Sequence, residues 1–145
     1  METAGTFLPE TANEARERYE CLGPAAQTVV KAVAKAMEFD AEEYDRRVTV
    51  EVVETAHEAL FASTLAVRVG TRKEYQTWRA ETDHEVQEVG SEHVDNVVWH
   101  APPFATEAVA ATFQDERRAA VETLRRQAFG RIYREALGIT DDAAG

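Results

Sequence analysis

The chain has 145 residues, of which 44% are hydrophobic and 30% are charged, a balance typical of a folded chain and not of a disordered one. Asp and Glu number 27 against 16 Lys and Arg, and the net charge of −11 argues against broad nucleic-acid binding. No apolar run approaches the roughly 20 residues of a membrane span, and the first ten residues lack the pattern of a secretory signal. We therefore expect a cytoplasmic protein with a single domain over 1–145 and no membrane segment.

Cys21 is the only cysteine, which excludes an intrachain disulfide and a zinc site built from several thiolates. The stretch around it, RYECLGP, suggests the end of a helix, where a lone cysteine packs as a small hydrophobic residue. A reactive thiol would need an activating histidine or cation beside it in space.

The residues from about 10 to 62 predict a group of four helices. A first helix over about 10–22 is indicated by apolar residues at helical spacing: Ala12, Ala15, Tyr19 and Leu22. Gly23 and Pro24 then end this helix and begin the next one. The buried stripe of the second helix is predicted at Val29, Val30, Val33 and Met37.

Two further helices begin at residues suited to cap them. Asp40 and Glu43 have the spacing of a capping box, and the short helix after them ends near Val48. Thr49 can cap the next helix. The inward face of that helix is predicted at Val52, Val53, Ala56 and Leu60.

The pattern changes to strand-like alternation in the part from about 64 to 101. LAVRVG has a large hydrophobic residue at every second position, which predicts a strand. Thr71 with Glu74 predicts a capped helix through about 81. HEVQEVG and VDNVVWH then predict the two strands of a hairpin, which Pro102 ends because proline cannot donate to the sheet. If LAVRVG pairs parallel to one of these strands, the helix between them crosses the sheet.

The last predicted element is a long helix over about 105–137. Its apolar positions keep helical spacing, Gly138 stands where a C-cap glycine belongs, and residues 139–145 form a tail. The sequence therefore predicts an α+β fold with an N-terminal helical group, a small sheet of about three strands with a crossing helix, and a long C-terminal helix.

Two long stretches of the chain, RYECLGPAAQTVVKAVAKAMEFDAEEYDRRVT and VVETAHEALFASTLAVRVGTR, resemble a family of short haloarchaeal proteins of unknown function. The composition is also similar to that of proteins from salt-loving archaea, since it is acidic and has thirteen arginines but only Lys31, Lys35 and Lys73. This resemblance covers most of the chain and implies a halophilic, archaeal origin. It implies no activity, ligand or site.

The stretch HVDNVVWHAPP, residues 93–103, raises the question of a metal or catalytic site. Successive side chains of a strand alternate between its faces. His93 and Asp95 therefore share one face and could grip a metal together, whereas His100 falls on the other face. The alternative, which we favour, is a buried strand with polar residues at its ends.

Two Glu-x-x-His spacings give a second metal hypothesis. Glu54 with His57, and Glu81 with His84, would each project to one side of a helix, as ligands do in di-iron carboxylate bundles. Such bundles need further glutamates from other helices, and these spacings arise easily by chance in so acidic a chain. The metal hypothesis thus depends on four candidate ligands, His57, His84, His93 and Asp95, and no other cofactor is implied.

Arginines give the last predicted helix a positive charge. From 115 to 134 the chain has six arginines against three acidic residues, or +3. Such a helix can dock on the protein's own acidic helices, on a second subunit or on phosphates, but high salt weakens phosphate contacts severely. We therefore favour pairing with protein over nucleic acid, with four candidate partner-binding residues: Arg117, Arg118, Arg125 and Arg126.

The sequence contains no dinucleotide-binding glycine motif, no phosphate loop and no nucleophile elbow. We therefore predict a non-enzymatic interaction or regulatory module that binds a protein partner or self-associates through its last helix. The alternative is a small metal-binding protein or metal-dependent enzyme that uses histidine and carboxylate ligands. Whether the protein is an enzyme stays open at this point.

Overall fold

A computed structural model of the protein describes residues 1–139. Its strands are β1 Glu2–Ala4, β2 Val67–Thr71, β3 Glu85–Val89, β4 Asn96–His100 and β5 Glu107–Phe113. Its helices are α1 Ala12–Ala36, α2 Ala41–Arg47, α3 Val50–Ser63, α4 Arg72–Glu81 and α5 Arg117–Ala128. A π-helical segment, Phe129–Tyr133, and a last turn, Arg134–Ala136, continue α5. Of the predicted tail, residues 139–145, all but Ile139 lie outside the described residues.

The strands form one mixed sheet in the order β1-β2-β4-β5-β3. β2 pairs antiparallel with β1 and β4, β4 pairs antiparallel with β5, and β3 at one edge pairs parallel with β5. The fold is α+β, as predicted, and α4 crosses one face of the sheet between β2 and β3. Within the described residues, however, the sheet has five strands and not about three.

The predicted strand pairings are wrong in two respects. HEVQEVG (β3) and VDNVVWH (β4) form no hairpin, because β5 lies between them in the sheet. The hairpin instead joins β4 to β5 across Pro102 and Pro103. β2 is antiparallel to both of its neighbours, and β1 is too short for any pattern in the sequence to predict it.

The predicted long helix over 105–137 begins at Arg117, because the residues before it form β5. In this strand Ala108, Val109 and Ala110 are all fully buried. A strand that is covered on both faces shows no alternation of polar and apolar residues. The spacing of its small side chains therefore fits a helix equally well, which explains the error.

The two faces of the sheet pack against different helices. On one face β2, β4 and β5 contribute valines to the larger core, which also contains side chains of α1, α3 and the C-terminal helix. On the other face Tyr75 of α4 packs against Val97, Trp99 and Ala110. Neighbouring residues of β4 thus point to opposite faces, as the sequence predicted.

The predicted helix break at Gly23 and Pro24 does not occur. α1 continues through both residues for 25 residues, because its second half buries Ala26, Val30 and Ala34, largely against α3. This packing offsets the cost of about 3 kcal/mol for a proline inside a helix. Cys21 therefore lies exposed on a continuous helix and is not packed as predicted. Among residues 1–139 no helix, α1 included, is long and apolar enough to cross a membrane.

Candidate functional site

A groove of about 560 Å³ runs between the antiparallel helices α1 and α3 and the short connecting helix α2. Its walls are almost entirely apolar, and Arg47 lies at its rim with its guanidinium 5.4 Å from the centre of the Phe39 ring. These helices form a helical hairpin, so we call this surface the hairpin groove. It is defined by its lining residues: Val29, Val30, Val33, Ala34, Phe39, Arg47, Val48, Val52, Thr55, Ala56 and Ala59.

Several side chains of the hairpin groove are exposed although they are large and hydrophobic. The exposed fraction is 43% for Val29, 51% for Val33 and 42% for Val52. The sequence predicts these residues, with Met37, as buried helix faces, and that prediction is wrong for the single chain. In α1, packing on α3 buries Val30 and Ala34 but leaves Val29 and Val33 exposed. Contiguous exposed apolar surface of this kind usually marks a site of interaction.

At the end nearest the sheet, the hairpin groove continues into a charged concavity of about 290 Å³ that shares Thr55 and Ala59 with it. Arg126 and Arg134 of the C-terminal helix line this concavity. The guanidinium of Arg134 pairs with the carboxylate of Glu58 at 2.8 Å. Among the ion pairs of the described residues, none involves Arg126. This is the basic end of the groove.

The π-helical segment decides that both arginines line the same concavity. Eight residues along a regular α-helix turn two side chains about 80° apart. The wider turn at Phe129–Tyr133 takes up an extra residue, so Arg126 and Arg134 come nearly into line. Spacing in the sequence alone therefore points to Arg126 but not to Arg134.

The opposite end of the hairpin groove carries negative charge. The connection between α1 and α3 exposes four carboxylates, those of Glu38, Asp40, Glu42 and Asp45. With Glu43, Arg46 and Arg47 included, segment 38–47 has five acidic and two basic residues, a net charge of −3. The groove is thus apolar along its length and basic at one end; at its other end Arg47 lines it, beside a segment of net negative charge.

The four arginines predicted to bind a partner do not form one surface. Arg117 pairs with Glu2 of β1, and Arg118 lines a separate shallow groove beside it. Of the four, Arg126 alone lines the charged end of the hairpin groove.

Arg125, in contrast, is a structural residue that is only 8% exposed. Its Nε donates to the backbone carbonyl of Leu65 at 3.1 Å, and its Nη1 donates to the carboxylate of Glu122 at 2.8 Å. A buried carbonyl that loses its donor is costly. Arg125 therefore fixes the C-terminal helix to the chain just before β2, and its contact with a partner stays a prediction.

Two of the four predicted metal ligands lie in different parts of the fold. The Nε2 atom of His57 is 2.5 Å from the carbonyl oxygen of Tyr19, and the two rings stack. In His84, Nδ1 is 3.0 Å from the hydroxyl of Thr82 and Nε2 is 2.9 Å from the carbonyl oxygen of Pro102. Both nitrogens of His84 thus have partners within the chain.

The other two predicted ligands, His93 and Asp95, lie in the exposed turn between β3 and β4. The backbone N–H of His93 donates to Ser91 Oγ at 3.2 Å, and the backbone carbonyl of Asp95 accepts from the N–H of Arg72 at 2.6 Å. Within residues 1–139, no group of three or more His, Cys, Asp or Glu side chains could hold a metal ion. The metal hypothesis stays a prediction.

His100 answers the question that residues 93–103 raise, because it is a buried core residue at the end of β4. Burial lowers its pKa to about 4, so the ring is neutral. Its Nδ1–H donates to the carbonyl of Ala66 at 2.7 Å, and its Nε2 accepts from the hydroxyl of Tyr133 at 2.7 Å. Burial raises the pKa of Tyr133. The pair fixes the π-helical segment to the sheet, and with it the position of Arg134.

Comparison with known proteins adds a family and no activity. A model of a family described as "Family of unknown function (DUF5809)" matches residues 6–134. The chain belongs to this family. No curated protein and no solved structure matches it. The expected resemblance to a family of unknown function is thereby confirmed, and the match includes the hairpin groove and four of the five strands of the sheet, β2 to β5.

Proposed function

We propose that the protein is an interaction module that self-associates by packing its hairpin groove against the hairpin groove of a second copy. The observation that supports this most directly is the exposure of Val29, Val33 and Val52, which have core-like positions in the sequence. The apolar surface of such side chains is removed from water only if another surface covers it. The proposal moves the predicted self-association from the last helix to α1 and α3.

The charges at the two ends of the groove favour a second copy as the occupant. In a two-fold symmetric dimer the same surface serves both partners, and its direction is reversed between them. The basic end at Arg126 and Arg134 then faces the acidic segment 38–47 of the second copy, and this contact occurs twice. Charges at a rim set orientation more than affinity, so the antiparallel arrangement is selected.

Burial of the valines would supply the affinity. Removing apolar surface from water contributes roughly 25 cal/mol per Å², and fully covering one valine contributes about 1.5 kcal/mol or more. The groove offers several half-exposed hydrophobic side chains per copy. The net charge of −11 on each copy opposes association, and salt would weaken this repulsion.

The test is the mass of the particle in solution, measured by light scattering and by sedimentation over a hundredfold range of protein concentration. We expect twice the mass of one chain. Val33→Glu should give a single chain, because it places a charge in the middle of the apolar contact. The matched control is Val89→Glu, since Val89 of β3 is 50% exposed and lies outside the groove; this variant should remain a dimer.

Arg126→Glu tests the charge pairing separately. It should raise the dissociation constant about threefold to tenfold, whereas Arg131→Glu, an exposed position on the same helix, should change it less. A single-chain mass at every concentration would refute the proposal. So would an identical effect of Val33→Glu and Val89→Glu.

We also propose that the protein works in the salt-rich cytoplasm of a halophilic archaeon. The support is the composition, with 27 acidic against 16 basic residues. A dense layer of carboxylates holds water at high salt and repels itself at low salt.

A further inference from the structure

A second concavity, of about 460 Å³, lies on the face of the sheet that α4 covers in part. Both tryptophans of the chain line it: Trp78 comes from α4 and Trp99 from β4. We call it the tryptophan groove and define it by its lining residues: Thr3, Gly5, Thr6, Leu8, Ala66, Arg68, Trp78, His84, Trp99, Ala101 and Pro103.

The sheet register explains why this concavity exists. Thr3 of β1 lies opposite Arg68 of β2, and Arg68 lies opposite Trp99 of β4, so the three side chains stand in one row across the sheet. Beyond this row, the same face carries small side chains at the ends of the two antiparallel strands: Ala66, two residues before Arg68, and Ala101, two residues after Trp99. These small side chains leave space that α4 does not fill. His84 forms a wall, held by the two hydrogen bonds described above.

Two side chains that line the tryptophan groove carry hydrogen-bond donors without a partner among residues 1–139. The indole N–H of Trp99 is buried and makes no hydrogen bond within this part of the chain. A buried donor in this state costs roughly 1–3 kcal/mol. Half-buried Arg68 takes part in none of the ion pairs formed within residues 1–139. An acceptor with negative charge in the groove would give Arg68 a partner, whereas the indole N–H of Trp99 has almost no accessible surface and is not reached from the groove.

The remaining walls suit a flat ring. Trp78 and Trp99 have ring centres 5.7 Å apart, with 32° between their planes. Trp99 is only 1% exposed, so the half-buried ring of Trp78 is the aromatic surface on which a flat ligand can stack. A volume of about 460 Å³ is typical of a small-molecule site. The guanidinium of Arg68 has the planar geometry that binds a carboxylate through two hydrogen bonds.

We propose that the tryptophan groove binds a small aromatic carboxylate, with its ring against Trp78 and its carboxylate on Arg68. This site is independent of the proposed dimer, because no residue of the tryptophan groove lines the hairpin groove. Binding is non-covalent.

The protein is titrated with benzoate and with 1-naphthoate, and calorimetry measures the heat of binding. Tryptophan fluorescence is a second readout for benzoate. Fluorescence reports on the site because both tryptophans line it. We expect saturable binding of both carboxylates, and binding of benzamide, the uncharged counterpart of benzoate, at least tenfold weaker. Arg68→Gln should weaken the binding of benzoate at least tenfold. Arg131→Gln, on the C-terminal helix, should not weaken it.

The comparison of benzoate with benzamide uses the unaltered protein, so it remains decisive even if Arg68→Gln fails to fold. Failure of both carboxylates to saturate the protein would overturn the proposal. Equal affinity for benzoate and benzamide, or full affinity in a folded Arg68→Gln variant, would overturn it as well.

Discussion

The buried pair of His100 and Tyr133 predicts a pH dependence of stability that can be worked out from the structure. Burial lowers the pKa of His100 to about 4, and Arg125 and His84 add positive charge that lowers it further, while the hydrogen bond to the Ala66 carbonyl raises it. In the unfolded chain the pKa of a histidine is about 6.5. Between these two values the unfolded chain binds a proton that the folded protein does not.

The sign follows from this difference. Stability rises with pH wherever the unfolded state binds more protons, so the contribution of His100 is complete above pH 6.5 and is lost as the pH falls towards 4. The full loss is about 3 kcal/mol, at roughly 1.4 kcal/mol per pKa unit. Between neutral pH and pH 5 the same relation gives about 2 kcal/mol.

The assay is urea unfolding at neutral pH and at about pH 5, on the wild type, His100→Gln and His93→Gln. All three share the carboxylates, so comparison cancels their contribution. His93→Gln keeps His100 and should therefore keep the pH dependence of the wild type. His100→Gln lacks the titrating group and should lose about 2 kcal/mol less on acidification. Equal pH dependence in all three proteins would refute the assigned burial and neutrality of His100.

Two further predictions concern salt and backbone conformation. The free energy of unfolding should rise with potassium chloride, since the Debye length falls from about 30 Å at 0.01 M to about 3 Å at 1 M and screens the charge of −11; urea melts followed by circular dichroism would contradict this if stability stayed flat or fell. Gly90→Ala should destabilise the protein by about 1–3 kcal/mol, because φ is +108° and the new Cβ would overlap Thr112 Oγ1. In Gly138→Ala the new Cβ meets no atom of residues 1–139 within 4 Å, so thermal melting should show a smaller loss; an equal loss would contradict the role of Thr112.

The sequence by itself determined where several helices begin and end. Asp40, Thr49 and Thr71 are N-caps whose side chains accept from the backbone N–H three residues later, as predicted. Thr71 and Glu74 complete a capping box, and Gly138 takes a φ of +71° after the last turn. These features depend on residues within four positions of one another. Local chemistry is therefore sufficient to predict them.

Contacts between distant residues decided the elements for which the prediction from sequence is wrong. Pro24 signals a break, but packing of α1 on α3 keeps the helix continuous. Residues 107–113 have helical spacing, but their position between β4 and β3 makes them a strand. In both cases a local preference of a few kcal/mol competes with burial against neighbours that are remote in the chain.

The candidate sites depend on tertiary structure for the same reason. Composition and periodicity identify Val29 and Val33 as apolar helix positions, but only the placement of α3 decides that they stay exposed. The sequence also identifies Arg126, whereas the π-helical segment brings Arg134 beside it. A hydrophobic pattern specifies that a face must be covered, and the packing of the whole chain decides whether the chain itself covers it.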